Sequence, residues 1–168
     1  ETADYNTLLA QLRLGAYAPF LDRVKDKDLA PRRAAFQMRV RLAEAYASII
    51  ASAPKHTRAL LAQMYHRFEV DNLKGILRGV VAGASWEKVR FVLFPLTSTV
   101  LPGQAMVETG NVTAAVALLQ GTPYYDTLSY AMKRFNSEQS LFPLEVALDL
   151  AYWRKLWSEV NHLPQDDR

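Results

Sequence analysis

Helical periodicity constrains this chain most, because it runs between widely spaced prolines and no strand pattern accompanies it. After Pro31, apolar residues recur at steps of three and four, at Phe36, Val40, Ala43 and Ala47. This is the spacing of one face of an α-helix, and a proline favours the first helical turn. No segment alternates between apolar and polar residues as a half-buried strand does. The sequence therefore predicts an all-α fold.

Turn signals divide the rest of the chain into further helices. The longest predicted helix spans 57–81, and a final helix runs from Pro143 to about Val160. The other predicted helix starts and breaks are at Pro54, Ser85, 101–103, Asn111 and 121–123.

Composition limits the chemistry that the chain can perform. Half of the 168 residues are apolar, as in a globular protein, and there is no cysteine. A disulfide scaffold, a thiolate zinc site, an iron–sulfur cluster and a cysteine nucleophile are therefore excluded. The net charge of +3 does not by itself indicate nucleic-acid binding. The 17-residue uncharged run 91–107, which no other uncharged run exceeds, contains two prolines and a glycine, so no membrane span is predicted.

A short pattern occurs twice and indicates an internal repeat. Leu-x4-Tyr-x3-Leu spans 12–21 and again 119–128, and a Leu-x3-Tyr pair follows each copy at 42–46 and 148–152. The offset of 106 to 107 residues predicts two copies of one helical unit. The same offset places the counterparts of Asn72 and Arg78 beyond position 168, so we expect the second copy to be incomplete.

The predicted helix 57–81 has two contrasting sides. Apolar residues cluster on one side together with Glu69 and Asn72, and we expect the Asn72 amide to bond to a neighbouring turn. Gly75 and Gly79 are costly inside a helix, so we expect another helix to approach closely there or, at Gly79, the helix end to fray. The opposite side carries a charged row whose simplest interpretation is a solvated face: Arg67, Asp71, Lys74 and Arg78.

No motif in the sequence indicates a catalytic site. The imidazoles of His56, His66 and His162 do not have the spacing of a metal-binding helix. The glycines are scattered singly, and Gly-x-Ser-x-Gly is absent. We therefore predict that the chain is not an enzyme and needs no cofactor or metal.

Two other functions are compatible with a helical chain of this kind. A helical nucleic-acid binder is disfavoured by the low net charge; its candidate residues would be Arg32, Arg33, Arg39, Arg41, Lys55 and Arg58. A generic helical protein–protein adaptor remains an alternative. Trp153 and Trp157 lie one helical turn apart, and we expect them to be partly exposed where another part of the protein packs.

The segment 68–79, Phe-Glu-Val-Asp-Asn-Leu-Lys-Gly-Ile-Leu-Arg-Gly, resembles the signature helix of a known family. This family comprises the C subunits of V/A-type ATP synthases, and its member in the eukaryotic vacuolar proton pump (V-ATPase) is called d. The resemblance extends over about residues 5–164. Its other matching segments are the turn with Tyr17, 83–87, 95–96, 118–124 and 144–152.

The resemblance implies a funnel of three similar helical lobes around a pseudo-threefold axis. We therefore predict a first lobe at 1–90, which includes the signature helix, and a truncated second lobe at 91–168. The chain would then be the N-terminal half of such a subunit or a shortened relative.

The resemblance also implies a mechanical role. Members of this family are non-catalytic central-stalk subunits that link the central shaft, made of D- and F-type subunits, to the membrane proteolipid ring. They couple ATP turnover to ion transport, such as proton transport, and lie peripherally on the cytoplasmic face of the membrane. On this basis we predict that Arg67, Lys74 and Arg78 contact acidic surfaces of the shaft or ring, and that nucleic acid is not a partner.

Overall fold

The computed structural model describes residues 4–165 and shows an all-helical protein over this range, which confirms the predicted fold class. A short 3-10 turn at Asp26–Asp28 separates the second and third helices. The helices are α1 (Tyr5–Arg13), α2 (Ala18–Leu21), α3 (Pro31–Ser52), α4 (Lys55–Tyr65), α5 (Arg67–Val81), α6 (Trp86–Val89), α7 (Gly103–Glu108), α8 (Val112–Ala117), α9 (Tyr125–Glu138) and α10 (Phe142–Asn161).

Proline and asparagine set several helix ends as predicted. α3 begins at Pro31 and ends shortly before Pro54, and α10 begins one residue before Pro143. These prolines fit because the first turn of a helix leaves its backbone N–H groups unpaired. Asn111 caps α8, and its side-chain oxygen accepts the N–H of Ala114 at 3.0 Å.

The prediction of one continuous helix over 57–81 is wrong. The structure divides this segment into α4 and α5, with His66 between them at φ −59° and ψ −18°, close to 3-10 geometry. The His66 ring is held by the Tyr124 hydroxyl at 2.9 Å and lies 3.4 Å from the Glu69 carboxylate. Neither proline nor glycine marks this junction, and its partner Tyr124 is distant in sequence, so periodicity alone does not reveal it.

The larger of two buried apolar clusters surrounds α5. Leu73 and Leu77 are fully buried there and pack with side chains of α6–α10. A smaller cluster joins α1, α2 and α3 through Leu9, Leu21 and Ala34. α5 thus lies within the main core, in contact with α4, α7, α8 and α10. The division into lobes at 1–90 and 91–168 stays a prediction, and the terminal residues 1–3 and 166–168 lie outside the described part.

The internal repeat has a local counterpart in the backbone. Tyr17 immediately precedes α2 at φ −94° and ψ −12°, and Tyr124 immediately precedes α9 at φ −90° and ψ −24°. The central tyrosine of each copy therefore has the same position at a helix start and nearly the same conformation.

Between residues 4 and 165, every helix is too short or too polar to cross a lipid bilayer.

Candidate functional site

An ion-pair network joins the charged row of α5 to α10. The Asp149 carboxylate receives Lys74 Nζ at 2.5 Å and Arg67 Nη1 at 2.7 Å, both on the oxygen Oδ1. Arg67 also pairs with Asp71 one turn further along α5, at 3.0 Å. One carboxylate of α10 therefore holds two cations of α5, which lie seven residues apart.

A second ion pair extends this network toward the end of α5. Arg78 donates two hydrogen bonds to Glu145, at 2.6 Å and 2.9 Å, in the bidentate geometry that suits a guanidinium and a carboxylate. Glu145 and Asp149 lie one helical turn apart on α10, so they face α5 together.

The interpretation of the charged row as a solvated face is wrong for Lys74. Its residue is only 6% exposed, because α10 packs over this side of α5 and supplies Asp149. An ammonium this buried needs a carboxylate partner, since an unpaired charge in the interior is costly. Arg67 and Arg78 remain partly exposed and are both paired.

The ion pairs between α5 and α10 shift the pKa values of several groups that form them. Burial raises the pKa of the Asp149 carboxyl, but its bonds to Lys74 and Arg67 outweigh burial and hold the pKa below its ordinary value. The hydrogen bond to Glu145 raises the pKa of Arg78. The pKa of Arg67 is raised as well: burial lowers it, but Asp71 and Asp149 outweigh burial. Asp149, Arg67 and Arg78 are therefore charged at neutral pH.

A buried polar cluster lies on another side of α5, around Glu69. Oε2 of Glu69 accepts the Tyr124 hydroxyl at 2.6 Å, and Oε1 accepts the Thr99 hydroxyl at 2.5 Å and the Val100 N–H at 3.1 Å. Burial and the Glu69 carboxylate together raise the pKa of Tyr124, so its phenol stays protonated and donates. This cluster ties the start of α9 and the segment before α7 to α5.

Sequence reasoning did not single out Glu69 as the centre of a polar cluster. Its signal was present, because a carboxylate on an otherwise apolar helix face must find partners when that face is buried. The identity of those partners was not evident, since Thr99 and Tyr124 lie 30 and 55 residues away.

Asn72 bonds to a neighbouring turn as predicted. Its side chain donates to the Phe94 carbonyl at 2.8 Å and accepts the Phe94 N–H at 2.6 Å, which satisfies both ends of the amide. The Phe94 ring stacks on Phe68 with centroids 3.9 Å apart. The segment after α6 is thereby fixed against α5.

The close approach of another helix is confirmed at Gly79, whereas at Gly75 the neighbour is the non-helical segment after α6. A Cβ built on Gly79 would lie 2.6 Å from Cγ2 of Val89 in α6, and one on Gly75 would lie 3.1 Å from Cδ2 of Leu93. The glycines let α6 and the segment that follows it lie directly against α5.

The sequence also singled out several basic residues and two tryptophans, whose surroundings the structure describes. Among the six basic candidates for nucleic-acid binding, Arg41 lies over the Tyr17 ring, whereas Arg58 donates to the carbonyls of Ala51 and Ala53. Trp153 and Trp157 are 58% and 67% exposed, which confirms that they are partly exposed. Over the described range, no group of three or more His, Asp and Glu residues is arranged to hold a metal ion.

Comparison with known proteins decides the family. The model of the ATP synthase (C/AC39) subunit family matches residues 1–168. The chain belongs to this family. One relative is the C subunit of the A-type ATP synthase of Methanosphaera stadtmanae. It is 29% identical to this chain, and the match covers 68% of this chain and 30% of the relative's length.

Two further relatives cover more of the chain. The C subunit of the V-type ATP synthase of Deinococcus radiodurans is 28% identical over 90% of this chain and 47% of its own length. The corresponding A-type protein of Methanocaldococcus jannaschii is 23% identical over 93% of this chain and 39% of its own. This chain therefore spans less than half the length of these ATP synthase subunits. No solved structure matches it significantly.

Proposed function

We propose that this chain is a non-catalytic central-stalk subunit of a rotary V/A-type ATPase. In this role it links the central shaft to the membrane proteolipid ring, so that ATP turnover is coupled to ion transport. The observation that carries the proposal is the match of the ATP synthase (C/AC39) subunit family model over the whole chain. Family membership argues against an adaptor unrelated to rotary ATPases.

The way α5 is held supports a mechanical role. Ion pairs to α10, the Glu69 cluster and the Asn72–Phe94 bonds fix this helix on three sides. A torque-transmitting part needs such non-local links, because it must not deform when one end is turned. The proposal requires no cofactor and no metal.

The proposed partners are the D- and F-type shaft subunits and the proteolipid ring, with the chain peripheral on the cytoplasmic face of the membrane. The proposed contact residues are Arg67, Lys74 and Arg78. Arg78 is the most exposed of the three and offers the largest surface to an acidic partner. The Lys74 ammonium is bonded to Asp149, so its contribution is to hold α10 beside the two arginines. The two-lobed arrangement, with lobes at 1–90 and 91–168, belongs to the same proposal.

Copurification tests the proposal. The affinity-tagged protein is expressed in its source cells, membranes are solubilised in mild detergent, and the bound shaft and ring subunits are identified by mass spectrometry. We expect both sets of subunits to be recovered at a fixed ratio to the tagged chain. Recovery of neither would contradict the proposal.

A pair of variants tests the contact residues separately. Arg78→Gln and Glu145→Gln each remove the same internal ion pair, but only the first removes the proposed contact group. We expect Arg78→Gln to reduce recovery of the shaft subunits and Glu145→Gln to leave it near the unmodified level. Equal losses in both variants would show that Arg78 acts only through the fold.

A further inference from the structure

The outer side of α10 carries apolar residues in the spacing of a coiled-coil seam. Five residues follow one another at steps of four, three, four and three, and we call them the α10 seam: Val146, Leu150, Trp153, Trp157 and Val160. Steps of this kind keep one strip of a helix turned toward a second helix over several turns. The three central residues of the seam are at least half exposed. A helix is therefore the element whose shape fits the seam.

A groove lies beside one end of the seam, between α9 and α10. Its volume is about 340 Å³, and the side chains of α10 that line it, between Phe142 and Leu150, are all apolar. Tyr130 of α9 lines the groove as well and is 82% exposed. The other end of the seam carries its two largest side chains, Trp153 and Trp157. The seam thus has a hollow end and a bulky end.

Two copies of the seam fit each other when their α10 helices run antiparallel. A twofold axis midway between positions 150 and 153 places Leu150 of one copy opposite Trp153 of the other. The same axis places Val146 opposite Trp157, so that each Trp157 lies at the groove of the other copy. A parallel pair would instead set the two bulky ends against each other and leave both grooves unfilled. The sizes of the side chains therefore favour the antiparallel pair.

Charges on α9 agree with this arrangement. α9 runs back along α10 from the turn at 139–141, so Lys133 is level with the groove and Asp126 is level with the tryptophans. The twofold axis exchanges these two ends, which brings Lys133 of one copy level with Asp126 of the other. Both side chains are exposed and make no ion pair within the part of the chain that the structure describes. Opposite charges thus lie level with each other twice across the contact, which favours association.

The surface available for this contact is modest. Four aromatic side chains, at about 150–250 Å² each, together expose on the order of 500 Å² at the seam and groove: Tyr130, Phe142, Trp153 and Trp157. Two copies therefore bury on the order of 1,000 Å², close to the lower limit of specific interfaces. We expect a reversible dimer with a dissociation constant on the order of 10–100 µM, so that the chain is mainly monomeric at about 1 µM.

We propose that a second copy of this chain covers the α10 seam, in a twofold antiparallel dimer. Trp157 of each copy occupies the groove of the other, and Lys133 faces Asp126 across the contact. This inference goes beyond the proposed role in the rotor and does not depend on it, because the seam, the groove and the two charges all belong to this chain.

Sedimentation equilibrium of the full chain, from about 1 to 300 µM, tests the association. We expect the mean mass to rise from 19.0 kDa toward twice that value. Trp157→Ala should weaken the dimer at least about tenfold, as removal of a central aromatic anchor does. The matched control is Leu14→Ala, which removes an exposed apolar side chain at the end of α1 and should change the dissociation constant by less than about twofold. Circular dichroism confirms that each variant is folded.

A charge exchange tests the contact between the α9 helices. Lys133→Glu sets two carboxylates against each other at each end of the dimer, so it should weaken association by about fivefold. Asp126→Lys combined with Lys133→Glu restores opposite charges and should recover most of this loss.

Disulfide formation tests the direction of the two helices, because the natural chain has no cysteine. In the antiparallel pair Phe142 lies next to Val160 of the other copy, whereas the two Phe142 residues are about 28 Å apart along the helices. We expect oxidation to link an equimolar mixture of the Phe142→Cys and Val160→Cys variants, and to link neither variant efficiently alone.

Three results would overturn the proposal. The first is a chain that stays monomeric up to about 300 µM. The second is equal weakening by Trp157→Ala and Leu14→Ala, because association would then follow general hydrophobicity. The third is efficient linkage of the Phe142→Cys variant to itself, which would show a parallel contact.

Discussion

At the level of single residues, Asp149 carries most of the connection between α5 and α10. It lies 75 residues from Lys74 and 82 from Arg67, yet it bonds to both. Its side chain is about one-third exposed, so water screens part of this interaction. Removing the carboxylate leaves the Lys74 ammonium buried without its partner.

We therefore expect Asp149→Ala to lower the free energy of unfolding by about 1–3 kcal/mol, less than the ~3–5 kcal/mol of a fully buried pair. Urea unfolding at neutral pH measures the change. Asp126→Ala on α9, an exposed aspartate, is the control and should cost less. A loss no larger than that of the control would contradict the assigned role of Asp149.

Asp149 also gives the stability a definite dependence on pH. Because its pKa is below the ordinary value in the folded state, the unfolded chain takes up a proton first as the solution is acidified. The stabilisation is fully present above about pH 5 and is lost as the pH falls through about 4 and below. We expect Asp149→Asn to flatten this acid limb of the unfolding free energy. Parallel pH profiles for the two proteins would refute the linkage.

Tyr124 is the second residue for which we predict a contribution to the stability of the fold. Its hydroxyl donates to Glu69 at 2.6 Å and lies 2.9 Å from His66 Nε2. We expect Tyr124→Phe to destabilise the fold by about 1–3 kcal/mol, because Glu69 loses a buried donor. Tyr130→Phe provides the control, since Tyr130 is exposed on α9. Similar midpoints in thermal unfolding for the two variants would show that the Glu69 cluster contributes little.

At the level of elements, the packing of α6 against α5 depends on Gly79. A methyl group there would meet Val89 at 2.6 Å, whereas at Gly75 it would meet only the flexible tip of Leu93 at 3.1 Å. Overpacking lowers the free energy of unfolding by about 1–3 kcal/mol, whereas replacing a helical glycine by alanine raises it by up to about 1 kcal/mol.

We therefore expect Gly79→Ala to be destabilising and Gly75→Ala to be nearly neutral in urea unfolding. The double variant Gly79→Ala with Val89→Ala removes the clash, although it also removes buried apolar surface. The substitution at Gly79 should therefore cost less in the Val89→Ala background than in the unmodified protein. If its cost is the same in both backgrounds, Val89 is not the obstacle.

The helices themselves were largely predictable from the sequence, whereas their partners were not. Pro31, Pro54 and Pro143 act within one or two turns, so the ends of α3 and the start of α10 followed from local chemistry. The break at His66 and the burial of Lys74 depend on side chains 58 and 75 residues away. Periodicity describes one helix at a time and says nothing about which distant element covers a charged row.

At the level of the whole molecule, α10 presents an apolar stripe on its outer side. Phe142, Leu150, Trp153 and Trp157 are all exposed, and their spacing places them within one quarter of the helix circumference. An exposed stripe of this kind is typical of a surface that contacts another protein. The sequence predicted the exposure of the two tryptophans but not the remainder of the stripe.

Fluorescence quenching by acrylamide tests this surface. Trp86 packs against the core, so Trp153 and Trp157 should account for most of the quenchable emission. We expect the double variant Trp153→Phe with Trp157→Phe to show markedly weaker quenching than the unmodified chain. The single variant Trp86→Phe should show stronger quenching. The reverse order would contradict the placement of α10.

The central claim concerns membership of a working rotary ATPase, and a two-dimensional gel of source membranes tests it most directly. The first dimension is native and is stained for ATPase activity, and the second is denaturing and is probed with an antibody against this chain. We predict that the antibody signal comigrates with the ATPase activity. A signal that migrates wholly apart from the ATPase would contradict the account, even though the chain belongs to the ATP synthase (C/AC39) subunit family.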